Sequence, residues 1–153
     1  MRYLPIVRGC ELLTPSNRAR SPASAASGDA RSAPPSQPDL SRPVSNTATV
    51  SRDAGVVGTA DAGDQLTAVF NEPLAAPAAD AFVQVRTTTG ALVVIRNQSN
   101  ALFRVSDRTL TIELGIGFSA GAYPLDIVDA GRITDLAGNS WAVTASPDRR
   151  YDK

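Results

Sequence analysis

Asp126, Asp129, Asp135 and Asn139 bring hard oxygen ligands together within a stretch of fourteen residues. Ca²⁺ takes six to eight oxygens at about 2.3–2.6 Å, some of them backbone carbonyls, so these four are the candidate ligands for such an ion. Glu72, ahead of Pro73, could add a carboxylate. The spacing does not match the Asp-x-Asp-x-Asp-Gly calcium loop. Each residue also has a plainer role: Asp135 and Asn139 as turn formers bonding their own backbone, Asp126 as a solvated strand residue, Glu72 as a solvent-facing strand end. The turn-forming role carries the greater weight, and no other cofactor is expected.

Catalysis finds little to work with. The chain has no histidine and a single cysteine, Cys10, which excludes Ser-His-Asp and Cys-His sites, thiolate metal clusters and any internal disulfide. Two carboxylates can hydrolyse a glycoside, but no pair stands beside aromatic residues that would hold a sugar. Gly115-x-Gly117 lacks the further glycines and the following helix of a phosphate-cradling loop. Trp141, the only tryptophan, could offer a sugar platform, yet a bulky aromatic at an alternating position more often packs inside. Phe70, Phe82, Phe103 and Phe118 are read as core for the same reason. The expectation is that this is not an enzyme.

Composition divides the 153 residues unevenly. Seven of the eleven prolines fall in the first 43 residues, and from Glu11 to Arg52 the text is Ser, Ala, Pro, Arg and Thr with few large apolar side chains. Such a segment buries too little surface to offset the entropy of ordering it, so residues 1–52 are read as disordered. Residues 53–146 are read as the folded domain and 147–153 as a polar tail. Deleting residues 1–50 should then leave thermal stability nearly unchanged. Charge is segregated: seven arginines against three acids (net +4) in 1–52, eight basic against twelve acidic residues (net −4) beyond. A dispersed +4 is no nucleic-acid footprint. No stretch approaches the ~20 apolar residues of a membrane span, and the start around Arg8-Gly9-Cys10 has too short an apolar run for an export signal.

Period-2 alternation dominates from Gln65 onward. Leu66, Ala68 and Phe70 share one face; Leu110, Ile112 and Leu114 share another; Tyr123, Leu125 and Ile127 a third. Ala81–Thr87 and Ala91–Arg96 flank a Thr89-Gly90 turn and read as a hairpin, as do Leu102–Val105 and Thr109–Leu114 around Ser106-Asp107-Arg108. Pro124 must sit at a strand start or an edge. Trp141–Thr144 reads as the closing strand and Val56-Val57 as a short first one. Eight strands at roughly 8–12-residue spacing predict an all-β, two-sheet antiparallel sandwich. Tyr123 is placed to make a corner hydrogen bond.

Four segments in order, Leu66-Thr67-Ala68-Val69-Phe70-Asn71-Glu72-Pro73, Leu110-Thr111-Ile112, Ala120-Gly121-Ala122-Tyr123 and Asp135-Leu136-Ala137-Gly138-Asn139, resemble the signature of bacterial Ig-like domains. Those modules repeat in S-layer, adhesin and other large surface proteins. Asn71 stands where the family usually has Ser, the first strand is abbreviated, and a single copy is present. The resemblance covers about Gly55–Val143. It implies an Ig-like sandwich acting as a spacer or adhesion module, an extracellular or cell-surface location, and other domains, cell-surface proteins or glycans as partners. It carries over no catalytic residues. A glycan-binding or Ca²⁺-stabilised adhesin unit, and an accessory domain of a hydrolase, remain as alternatives.

Overall fold

The computed structural model describes residues 37–143 and 150–153. The readings placed on residues 1–36, on Cys10 and on 144–149 lie outside the described residues. Ten strands are described: β1 (Ser45–Arg52), β2 (Thr59–Asp61), β3 (Gln65–Phe70), β4 (Phe82–Arg86), β5 (Leu92–Arg96), β6 (Ala101–Ser106), β7 (Thr109–Leu114), β8 (Ser119–Ala122), β9 (Leu125–Gly131) and β10 (Arg150–Tyr151). They form two four-stranded antiparallel sheets, β1-β3-β7-β6 and β10-β9-β4-β5, and a two-stranded one, β2-β8. No helix occurs among the described residues.

Alternation decides which way each strand faces. In β3, Leu66, Ala68 and Phe70 are buried while Thr67 and Val69 are not; in β7, Leu110, Ile112 and Leu114 are buried between half-exposed neighbours. The second sheet answers with Val83, Val85, Ile95, Leu125 and Ile127, and all of these share one core. Both expected hairpins form. The β4–β5 turn closes through Thr87 and Ala91, with Gly90 at a positive φ of 87° that glycine adopts without steric cost. Pro124 sits just ahead of β9, where its missing N–H costs no ladder bond.

The edges of the sandwich differ from the sequence reading. Residues 45–52, assigned to the disordered segment, are β1, paired with β3 from Ser45 opposite Phe70 to Arg52 opposite Gln65. Two register shifts interrupt that pairing and break the alternation, while the residues turned inward, Ser45 and Ala48, are small. The β-branched Thr47, Thr49 and Val50 still suit a pleated edge. Val56 and Val57 are not a strand; they lie on an exposed loop. Trp141–Val143 lies outside the strands, tied in by Trp141 N–H to Ile133 O at 2.9 Å and Ala142 N–H to Pro43 O at 3.2 Å.

The closing strand is instead β10, inside the segment read as a polar tail. Tyr151 is fully buried, and burial pushes its phenol pKa up. Polar neighbours on both sides hid a single deep anchor. Phe82, expected inside, is half-buried and lies beneath the Arg96 guanidinium, 5.6 Å from its ring centre.

Ile112 is completely buried, so Ile112→Ala should cost about 2–5 kcal/mol in urea unfolding. A cost well below that range would place it at the surface. Deleting residues 1–50 removes most of β1 and uncovers β3. Contrary to the composition-based expectation, a clear drop in melting temperature should follow, and an unchanged one would show that β1 is dispensable.

Candidate functional site

Strands satisfy their own backbone, but the loops between them leave N–H groups that need acceptors. Two buried aspartates collect these groups at the two ends of the sandwich.

At the end where the chain enters, Asp135 is itself bridged to Leu74, which sets the 133–140 loop beside the chain that leaves β3. Its Oδ1 accepts the Ala137 and Asn139 N–H groups, each at 2.8 Å, and its Oδ2 accepts the Asn139 side-chain amide at 2.8 Å. The same amide donates to Asp39 O at 2.9 Å, which ties the loop to the segment leading into β1. That segment is further held by Asn71, whose Oδ1 accepts Val44 N–H at 2.7 Å and whose own N–H donates to Val44 O at 3.1 Å. Burial by itself would raise the Asp135 pKa. The hydrogen bonds from Asn139, Ala137 and Gly138 outweigh it and hold the carboxyl below its ordinary value.

Asp39, Glu72 and Asp135 each bring a carboxylate oxygen to this place, all within 4.8 Å of one another. Three hard oxygens from three separate segments are a donor set for a divalent cation. Part of their accepting capacity is already taken up within the protein. Asp39 Oδ1 accepts the Ser41 N–H at 2.9 Å and the Ser41 hydroxyl, Glu72 accepts the Asn71 amide at 3.3 Å on Oε1 and the Ser41 hydroxyl at 3.4 Å on Oε2, and Asp135 holds the three bonds described. The same bonds tie the entering segment to the 133–140 loop and to the end of β3.

The structure brings together two of the four residues singled out as ligands, Asp135 and Asn139, with Glu72, the carboxylate offered beside them, and adds Asp39. Asp126 and Asp129 are elsewhere, on β9. Asp126 pairs with Arg150 at 3.0 Å, and Asp129 accepts the N–H of Ala130. The strand carries both away from the turn, and spacing along the chain could not reveal that. Asp39 was missed because it falls in the segment dismissed on composition.

At the opposite end the anchor is Asp64, fully buried and not foreseen. Its carboxylate accepts Ala54 N–H at 2.7 Å, Asp61 N–H at 3.3 Å and the Tyr123 hydroxyl at 2.8 Å. The corner bond expected of Tyr123 thus goes to an acidic side chain, and burial together with that bond raises the phenol pKa. The Gly63-Asp64 pair at the mouth of a strand was the available signal. Nearby, Asp53 accepts Gly58 N–H at 2.8 Å and pairs with Lys153, whose ammonium is the main cause of its lowered pKa.

Trp141 is buried edge-on against Phe70, ring centres 4.9 Å apart and planes at 79°, so it offers no sugar platform. Among the described residues the exposed large apolar side chains are aliphatic, including Ile116, Leu136 and Val57. No family model, no curated protein and no solved structure matches the chain.

A carboxyl whose folded pKa is depressed stabilises the fold above its unfolded pKa and loses that contribution as pH falls through the folded one. The melting temperature should therefore decline as pH drops below the ordinary carboxyl value of 3.8. In Asp135→Asn the decline should be shallower, with a lower starting point at neutral pH. Parallel curves for the two proteins would show that Asp135 does not hold the loop.

Proposed function

We propose that the chain is a non-catalytic Ig-like module, a structural spacer that displays or separates other parts of a bacterial surface or secreted protein. The observation that carries this reading is where the chain goes in and out. Pro38–Val44 leads into β1 beside the Phe70 end of β3, whereas Asp152 is bridged to Thr49 further along β1 and the Lys153 ammonium reaches on to Asp53, past the Gln65 end. Entry at Ser45 and the Asp152 bridge at Thr49 are offset along β1 by about 13 Å of extended chain. Such polarity suits units joined in series.

The strand order supports the Ig-like part of the proposal. The order β1-β3-β7-β6 against β10-β9-β4-β5 corresponds to the A-B-E-D and G-F-C sheets of that fold with one strand added beside C. The acidic side chains point the same way. Those in the two end clusters accept loop hydrogen bonds, and no catalytic pairing of nucleophile and base emerges among the described residues.

A calcium-stabilised adhesin unit is the alternative raised by the Asp39–Glu72–Asp135 cluster, and the loop hydrogen bonds that Asp135 already accepts weigh against it. Urea unfolding with millimolar CaCl₂ and with EDTA separates the two. A spacer should give the same midpoint in both, and a glycan array should be flat. An ion bound at the cluster would add about 2.7 kcal/mol at a hundredfold excess over its Kd, and a shift of that size would replace the spacer reading.

A further inference from the structure

We propose that the free edge of β5 is a self-complementary pairing surface for a second copy of this chain, and that the Asn100 side chain holds that surface shut. This guard is independent of the spacer reading, because it involves one edge of the sandwich alone.

β5 ends the sheet β10-β9-β4-β5, and no described strand pairs with its far side. The alternation of an antiparallel ladder shows which of its backbone groups are left over. Ala91 O accepts Thr87 N–H at 2.9 Å and Asn97 N–H donates to Ala81 O at 2.8 Å, so the odd-numbered residues of β5 bond β4. Leu92, Val94 and Arg96 therefore turn their N–H and C=O groups to the open side. Ala91–Ile95 is a run of five apolar residues without charge or proline, in which Leu92 is exposed and Val94 half-buried. An open edge of that composition is a template for another strand.

The edge also matches itself. In an antiparallel pairing about a two-fold axis at Val94, Val94 N–H meets Val94 O of the second copy, and Arg96 N–H meets its Leu92 O. Val94 then stands opposite Val94 and Leu92 opposite Arg96, so no like charges are brought together.

Asn100 occupies the groups this pairing needs. Its Oδ1 accepts Arg96 N–H at 2.6 Å and its Nδ2 donates to Val94 O at 2.8 Å. Every bond of the two-fold pairing draws on Val94 O or Arg96 N–H, so one side-chain amide blocks them all. Arg96 O, the next acceptor along the edge, already takes the N–H groups of Ser99 and Asn100 at 3.4 and 3.3 Å. A primary amide carries the donor and acceptor of a peptide group, and here it stands in for a strand one residue long.

The corner between β5 and β6 sets this amide in place. Gln98 has a φ of 58°, a left-handed conformation that residues other than glycine seldom adopt, and Asn100 O accepts Gly115 N–H at 2.8 Å, which fixes Asn100 to the end of β7. The other asparagine of the corner treats the second open edge alike. Asn97, which is buried, accepts the Phe103 N–H of β6 at 2.9 Å and donates to Ala78 O at 2.8 Å.

The test is sedimentation equilibrium on the full chain, in reducing buffer so that Cys10 forms no cross-link. The parent should be a monomer. Asn100→Ala should dimerise with a Kd about a hundredfold below any self-association of the parent, which must first break both Asn100 bonds in each copy. Exchange of the Val94 amide should slow as that dimer forms. Val94→Pro in the same background removes an N–H that points away from β4, a loss an edge strand tolerates, and should restore the monomer.

An Asn100→Ala protein that stays monomeric would overturn the proposal, as would a dimer that survives Val94→Pro or a parent already paired through β5. If Asn100→Ala does not fold, the amides of the parent decide. Arg96 N–H, held by Asn100, should exchange far more slowly than its edge neighbours Leu92 and Val94. Equal exchange at the three would overturn the guard. None of these outcomes alters the calcium or glycan results, by which the spacer reading stands or falls separately.

Discussion

Everything in this molecule depends on every second side chain of its strands turning into one dry interior between two sheets. Leu66, Ala68 and Phe70 of β3 and Leu110 and Ile112 of β7 lose almost all contact with water, as do Val83, Val85, Leu125 and Ile127 of the facing sheet. Each large side chain contributes roughly 1.5–3 kcal/mol on leaving water. Their sum offsets the cost of fixing the backbone. Because the period is two, a one-residue slip in any of these strands would turn its apolar set outward, so burial specifies register as well as stability.

The loops obey a different rule. Hydrophobic burial cannot order a loop whose backbone donors point away from any strand, and at both ends a buried carboxylate takes over that task. Asp135 gathers the turn after β9 and, through Asn139, the entering segment. Asp64 gathers the β1–β2 and β2–β3 connections and the tyrosine ahead of β9. Both are acceptors with charge, and charge-assisted bonds are the strong ones. Asp64 and Asp135 therefore serve the architecture, each holding loop N–H groups that no strand would satisfy.

Some of this was legible in the amino-acid text. Strands β3, β4, β7 and β9 alternate cleanly, and the all-β class, both hairpins and the inward faces followed from that pattern. The burial of Trp141 and the turn role of Asp135 and Asn139 were also readable, the first from size and the second from the chemistry of short polar side chains. The edge strands were not. β1 turns Ser45 and Ala48 inward and carries two register shifts, so neither hydrophobicity nor period announces it. β10 has one apolar side chain, Tyr151, in a run of charges. Central strands are written by their own residues, whereas edge strands take their place from the partners that receive them. The end clusters failed to show for a related reason: Asp39 meets Asp135, and Asp64 meets Tyr123, across long stretches of chain.

Amide hydrogen exchange on the intact protein probes the central claim most directly, that the sandwich includes β1 and is locked by β10. The Val50 amide, bonded to Asp152 O, should exchange as slowly as the amides of Leu66 and Ile112, because all three would open only with the whole unit. Exchange at Val50 as fast as at the exposed loop residue Val57, with β3 and β7 still protected, would contradict it. The folded core would then begin at β2.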